Sequence, residues 1–160
     1  MATKTDAPTE GWLSADEMRA WRNFVETMGT LLPAMEADLV AHGLTMGDYE
    51  VLVHLSEAEH RRMRMCDLAT ALRLSPSGLT RRLDGLVKAK LVTRESCAAD
   101  RRVMWAALTA AGWERMEEAA PTHVASVRRH FLAGLTPAMI EAIGDAFTIV
   151  RERLAAGQTA

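Results

Sequence analysis

Two short stretches carry side chains whose types and spacing could do chemistry. The first is Asp100-Arg101-Arg102, an acid set against two arginines and followed by the uncharged run Val103 to Ala107, then Leu108-Thr109. Guanidinium groups on a polar turn are anion binders. An adjacent carboxylate can hold one in place by a charge-assisted hydrogen bond. The second is SPSGLTRRLDGLVK, residues 75–88, with Ser75, Ser77, Gly78, Thr80, Arg81, Arg82, Asp84 and Lys88 interleaved among leucines. Arginine can grip guanine O6 and N7 together, and small hydroxyls can meet phosphate or base edges. Both stretches therefore point to a nucleic acid.

The charge distribution supports that partner more than the total does. The formal net charge is −2. Residues 61–102 nevertheless hold eleven Lys/Arg against four Asp/Glu, a local excess of +7 that leaves −9 for the rest. A basic centre in an acidic frame is the electrostatic footprint of a polyanion partner. The same charges could also form a solvated face. Arg61, Arg62 and Arg64 stay open between these two uses.

The elements that must position these residues follow from caps and periodicity. Ser14 with Glu17 forms a capping box that starts a helix through Trp21, Phe24, Met28 and Leu32. Pro33 is expected to kink or split it, and Gly43 to close it. Thr45 with Asp48 starts the next helix, through Tyr49, Leu52 and Leu55. Leu68, Ala69 and Leu72 make a short helix face. Ser75 then caps a second helix, with Pro76 at the first helical position and Leu79, Leu83 and Leu86 on one side. The pair reads as a helix-turn-helix. Leu91 to Glu95 and Val103 to Leu108 read as strands joined by the polar turn SCAADRR. A hairpin directly after a helix-turn-helix is a winged helix. Its tip can enter the narrow minor groove, where arginine is favoured. Thr109 caps a long helix that Pro121 is expected to interrupt or kink, and Thr136-Pro137 starts the last one.

With these elements in place, the sequence resembles the MarR family of bacterial transcriptional regulators. That family carries Asp-x-Arg, five residues, then Leu-Thr at its wing, and Asp100, Arg102, Leu108 and Thr109 match this spacing. The segment DLATALRLSPSGLTRRLDGLVKAKLVTR resembles the one around the family's recognition helix, and the order of elements fits from about Trp12 to Leu154. The chain departs at Lys90, where a glycine usually precedes the first wing strand. The resemblance implies a homodimer with intertwined N- and C-terminal helices, and repression relieved by a small ligand. The expected fold is mostly α with a small β wing, a winged helix-turn-helix inside an intertwined helical homodimer. The expected division is a disordered N-terminus over 1–11, a dimerisation region over 12–44 and 110–156, and a DNA-binding domain over 45–109.

Stepping about 100° per residue from Leu79 sorts the second helix. Ser77, Arg81 and Lys88 fall roughly opposite the leucines, which makes Ser77 and Arg81 the leading readers of base edges in the major groove. Asp84 could orient Arg81 or accept from cytosine N4. Ser75, Thr80 and Arg82 are expected on phosphates. Arg102, with Arg101 as second choice, is expected in the minor groove, steadied by Asp100.

Other functions are less well supported by the residues. No P-loop, GxSxG or HExxH is present, so no enzyme is expected. No cofactor or metal is expected either: Cys66 and Cys97 lack metal spacing, and no carboxylate cluster surrounds His123 and His130. A redox- or metal-responsive regulator on the same scaffold, and an interaction module without DNA binding, are the alternatives. Trp12, Trp21, Phe24, His42 and Met46 could line an effector pocket or belong to the dimer core. With no apolar run long enough to span a bilayer and no signal-peptide layout at the start, a cytoplasmic protein is expected, with no membrane partner. The expected partners are double-stranded DNA, a second copy of the chain and a small effector.

Overall fold

The computed structural model describes residues 11–96 and 103–157. Helix α1 spans Ala15–Leu39 and begins with the expected capping box: Ser14 Oγ accepts from Glu17 N, and Ser14 N donates to Glu17 Oε2 at 2.8 Å. A 3-10 turn, Val40–His42, ends at Gly43, whose φ of 65° is the left-handed geometry glycine adopts without cost. Helix α2, Met46–Glu57, has a reciprocal cap between Thr45 and Asp48. Strand β1 is Arg62–Arg64, followed by α3, Met65–Ala71, and α4, Pro76–Lys88. Strands β2, Val92–Ser96, and β3, Met104–Leu108, lead into α5, Ala110–Ser126. A π-helical turn, Val127–Leu132, connects it towards α6, Pro137–Gly157.

Helix α1 runs unbroken through Pro33, and α5 runs unbroken through Pro121. Each proline removes the donor to the carbonyl four residues earlier. Those carbonyls belong to Gly29 and Glu117, both exposed, so water can take the freed acceptor. The expectation that either proline would split its helix is corrected accordingly.

Strand β1 is the element the sequence did not announce. It pairs antiparallel with β3, which also pairs with β2, giving the order β1-β3-β2. The chain enters β1 through His60 and Arg61, both at φ 54°, a region that costs non-glycine residues roughly 1 kcal/mol each. Met63 faces the core while Arg62 and Arg64 face out.

The core lies between α2, α3, α4 and the inner face of the sheet. Val51, Leu52 and Leu55 of α2, Leu68 of α3, and Leu79 and Leu83 of α4 are buried with Val92 and Ala106. Truncating any one of these leucines to alanine should cost about 2–5 kcal/mol. The start of α5 is clamped to the start of β2. Thr109 Oγ1 donates to the carbonyls of Lys90 and Leu91, at 2.8 and 3.1 Å, and accepts from Gly112 N. Gly112 sits so close that an added Cβ would collide with the Leu91 carbonyl. Lys90, the departure from the expected glycine, keeps glycine's geometry at φ 60°. It closes α4 with Lys90 N donating to Val87 O and Leu91 N to Leu86 O, each at 2.9 Å.

Helix α6 has no buried residue. Ile140, Phe147, Ile149, Val150 and Leu154 are exposed on it, as Trp21, Phe24, Val25, Met28 and Leu32 are on α1. Phe24 and Phe147 meet with ring centroids 5.8 Å apart. No single described helix is long and apolar enough to cross a membrane.

Candidate nucleic-acid interface

Helix α4 is held from three sides, and that leaves one face free. Its cap is formed by Ser75, whose Oγ accepts from Gly78 N at 3.1 Å and lies 3.2 Å from Ser77 Oγ. A Cβ at residue 78 would stand 3.1 Å from that Ser75 hydroxyl, so the tight cap gives Gly78 a local structural reason. Leu79, Leu83 and Leu86 are buried, which leaves Ser77, Arg81, Asp84 and Lys88 exposed on the opposite side, as the helical angles require. Leu74, Ser75, Ser77, Gly78, Arg81 and Arg82 line a shallow cavity of ≈ 320 Å³ at the amino end of the helix.

Three side chains differ in detail from expectation. Asp84 does not pair with Arg81. It accepts from Arg94 of β2 at 2.8 Å, and the same Arg94 nitrogen donates to the Thr80 carbonyl at 2.7 Å. The Thr80 hydroxyl turns back onto the Pro76 carbonyl at 2.9 Å. Arg82 is half-buried with its guanidinium seated against Gly47 at the start of α2, so tightly that a Cβ there would overlap it. A phosphate contact by Arg82 would need the group to leave that seat. Asp100, Arg101, Arg102 and Cys97 lie outside the described residues.

Arginines 61, 62 and 64 each stack on an indole. Arg61 lies 3.7 Å from the Trp113 ring centroid, and Arg62 and Arg64 lie 4.9 and 5.6 Å from that of Trp105. Spacing along the chain could not signal these pairs, because the partners are more than forty residues away: Arg62 and Arg64 meet Trp105 only once β1 and β3 are in register, and Arg61 meets Trp113 of α5.

Of the residues considered for an effector, only Trp21 and Phe24 are seen to meet each other among the described residues. Trp12 is 75% exposed, and Trp21 contacts Phe24 on the open face of α1. His42 Nε2 is 2.8 Å from Thr122 Oγ1, and its carbonyl accepts from Arg115 at 2.8 Å. Met46 lines a cavity where α2 meets α5. That space, of ≈ 270 Å³, is bounded also by Tyr49, Glu50, Val53, His54 and His123. The His123 ring stacks on Tyr49 at 4.7 Å, and its buried Nδ1 has no partner among the described residues. Burial pushes the His123 pKa below its ordinary value, opposed by the charge of Glu50, and raises that of Tyr49. His130 is separate from His123: it bonds Asp38 of α1 at 3.0 Å, as Arg129 does at 2.8 Å. The Asp38 carboxyl is held below its ordinary range, first by the Ser126 hydroxyl facing it, against the opposing effect of burial, and then by His130 and Arg129. Ser126 Oγ itself is buried short of full hydrogen-bond geometry.

The MarR family profile matches residues 42–103, which run from the end of the 3-10 turn after α1 to the residue before β3. AbsC, a MarR family transcriptional regulator from Streptomyces coelicolor, is 46% identical, with a TM-score of 0.85 over 91% of this chain and 98% of its own. Sco3205, a MarR family transcriptional regulator from the same organism solved in complex with DNA, is 35% identical, with a TM-score of 0.85 over 93% of this chain and 92% of its own. The HTH-type transcriptional repressor YetL of Bacillus subtilis is 24% identical over 144 residues, 88% of this chain and 86% of that protein. With AbsC 46% identical and matched along nearly the whole of both chains, on a winged helix with a free recognition face, the chain belongs to the MarR family, DNA-binding transcriptional regulators and not enzymes.

Proposed function

We propose that this regulator is a cytoplasmic repressor that binds a near-palindromic operator as a homodimer and is released by a small ligand. The observation that carries the DNA reading is the free face of α4, where Ser77, Arg81 and Lys88 stand together on a helix whose opposite side is buried. Ser77 and Arg81 read base edges in the major groove. Ser75 and Lys88 lie towards the backbone, with Thr80 joining them once its hydroxyl leaves the Pro76 carbonyl, and Arg102 or Arg101 enters the minor groove with Asp100 steadying it.

The dimer reading is supported by the open apolar faces of α1 and α6, which a winged helix alone does not cover. Residues 12–44 and 110–156 form the dimerisation region in this reading, and 45–109 the DNA-binding domain. Release by a ligand is supported by the cavity of Tyr49 and His123, since it lies where α2 of the DNA-binding domain meets α5.

Selection of bound sequences from a random DNA pool tests the proposal. It should return two inverted half-sites about 10 bp apart or a multiple of that, because two recognition helices related by a two-fold axis meet one face of B-DNA. A preferred site without inverted symmetry overturns the symmetric dimer, and sedimentation as a folded monomer at micromolar concentration overturns the dimer itself.

A further inference from the structure

We propose that Arg64 and Arg62, held on the indole of Trp105, form a clamp on the DNA phosphate backbone beside the wing. The proposal rests on the DNA-binding reading above and extends its contact surface to an element outside the recognition helix and the hairpin tip.

Three observations carry it. First, β1 is an edge strand, and its alternation turns both arginines to the open face of the sheet while Met63 packs inward. Second, neither guanidinium has an acidic partner among the described residues, and each lies over the Trp105 ring. A ring quadrupole orients a cation without neutralising it, so the charge stays available while its side chain is already ordered. Third, Arg64 lines one cavity with Pro76 and Thr80 of α4 and with Val103 and Met104 at the foot of the wing. It therefore stands where the recognition helix and the wing meet. Two unneutralised cations side by side on an open surface suit a continuous polyanion better than an enclosed small anion.

The sheet register grades the effect. Arg64 pairs with Trp105 and Arg62 with Ala107, so Arg64 is nearer the wing and Arg62 is further from it. Arg61 stacks on Trp113 at the start of α5 and lies beyond both. It is a control of equal charge.

The test uses the full chain and a random-sequence DNA duplex, with affinity measured across a salt series. Arg64→Gln should flatten the dependence of log K on log salt by roughly 0.9 for each phosphate it no longer neutralises, summed over both subunits. Arg62→Gln should flatten it less, and Arg61→Gln should leave it as in the parent. Trp105→Leu should weaken binding while keeping the parental slope, and Trp105→Phe should restore most of the affinity. The arginine variants are at exposed positions and keep the test decisive if Trp105 variants fail to fold. Parental slopes for both Arg64→Gln and Arg62→Gln, or an equal loss in Arg61→Gln, overturn the clamp. A parent chain that binds no duplex overturns the DNA-binding reading itself, whereas tight parental binding with unaltered slopes in both Arg64→Gln and Arg62→Gln rejects the clamp alone.

Discussion

Arg94 of β2 joins Asp84 of α4 at 2.8 Å, and the same nitrogen donates to the Thr80 carbonyl at 2.7 Å. The first wing strand is thereby tied to the middle of the recognition helix. The carboxylate that could have met a cytosine amino group is occupied within the domain. Asp84→Ala should therefore leave base preference unchanged, as read by selection from a random pool. Arg94→Ala should lower affinity without altering preference. A double-mutant cycle should give a coupling of about 0–1 kcal/mol, since Asp84 is well exposed. Relaxed preference at one base pair in Asp84→Ala would return Asp84 to direct readout.

Arg81 is exposed at the amino half of α4, on the side opposite the buried leucines. Arg81→Ala should relax specificity at one base pair per half-site and cost about 1–3 kcal/mol per base pair read. Uniform weakening on every sequence would instead place Arg81 on a phosphate.

In the proposed minor-groove role of Arg102, Arg102→Ala should weaken DNA binding strongly and flatten the salt dependence. Thermal stability should move by less than about 0.5 kcal/mol, as expected of the polar turn that the sequence indicates there. Asp100→Ala should give a milder form of the same defect. Parental affinity in Arg102→Ala with a loss in Arg101→Ala would exchange their roles.

His123 links stability to pH. Its folded-state pKa lies below the ordinary 6.5 because burial disfavours the imidazolium by more than the charge of Glu50 favours it. As pH falls below 6.5, the unfolded chain takes up a proton that the folded chain refuses, so stability declines until the folded pKa is passed. Denaturant unfolding between neutral and mildly acid pH should show this decline in the parent and a smaller one in His123→Gln. Identical pH profiles would remove His123 as its source.

Local chemistry determined much of this protein in advance. The caps at Ser14, Thr45, Ser75 and Thr109 are side chain to backbone bonds across three residues, and all four form as the sequence indicates. The free face of α4 follows from the spacing of Leu79, Leu83 and Leu86, because helical geometry alone opposes them to Ser77 and Arg81. Strand β1 was not legible, since three residues alternating Arg-Met-Arg carry too short a period and are a strand only when β3 pairs with them. The indole seats of Arg61, Arg62 and Arg64, the Asp84–Arg94 pair and the Tyr49–His123 stack were likewise undecided. Each joins residues distant in sequence, and a charged or aromatic side chain has many possible partners until the packing of the core brings one within reach.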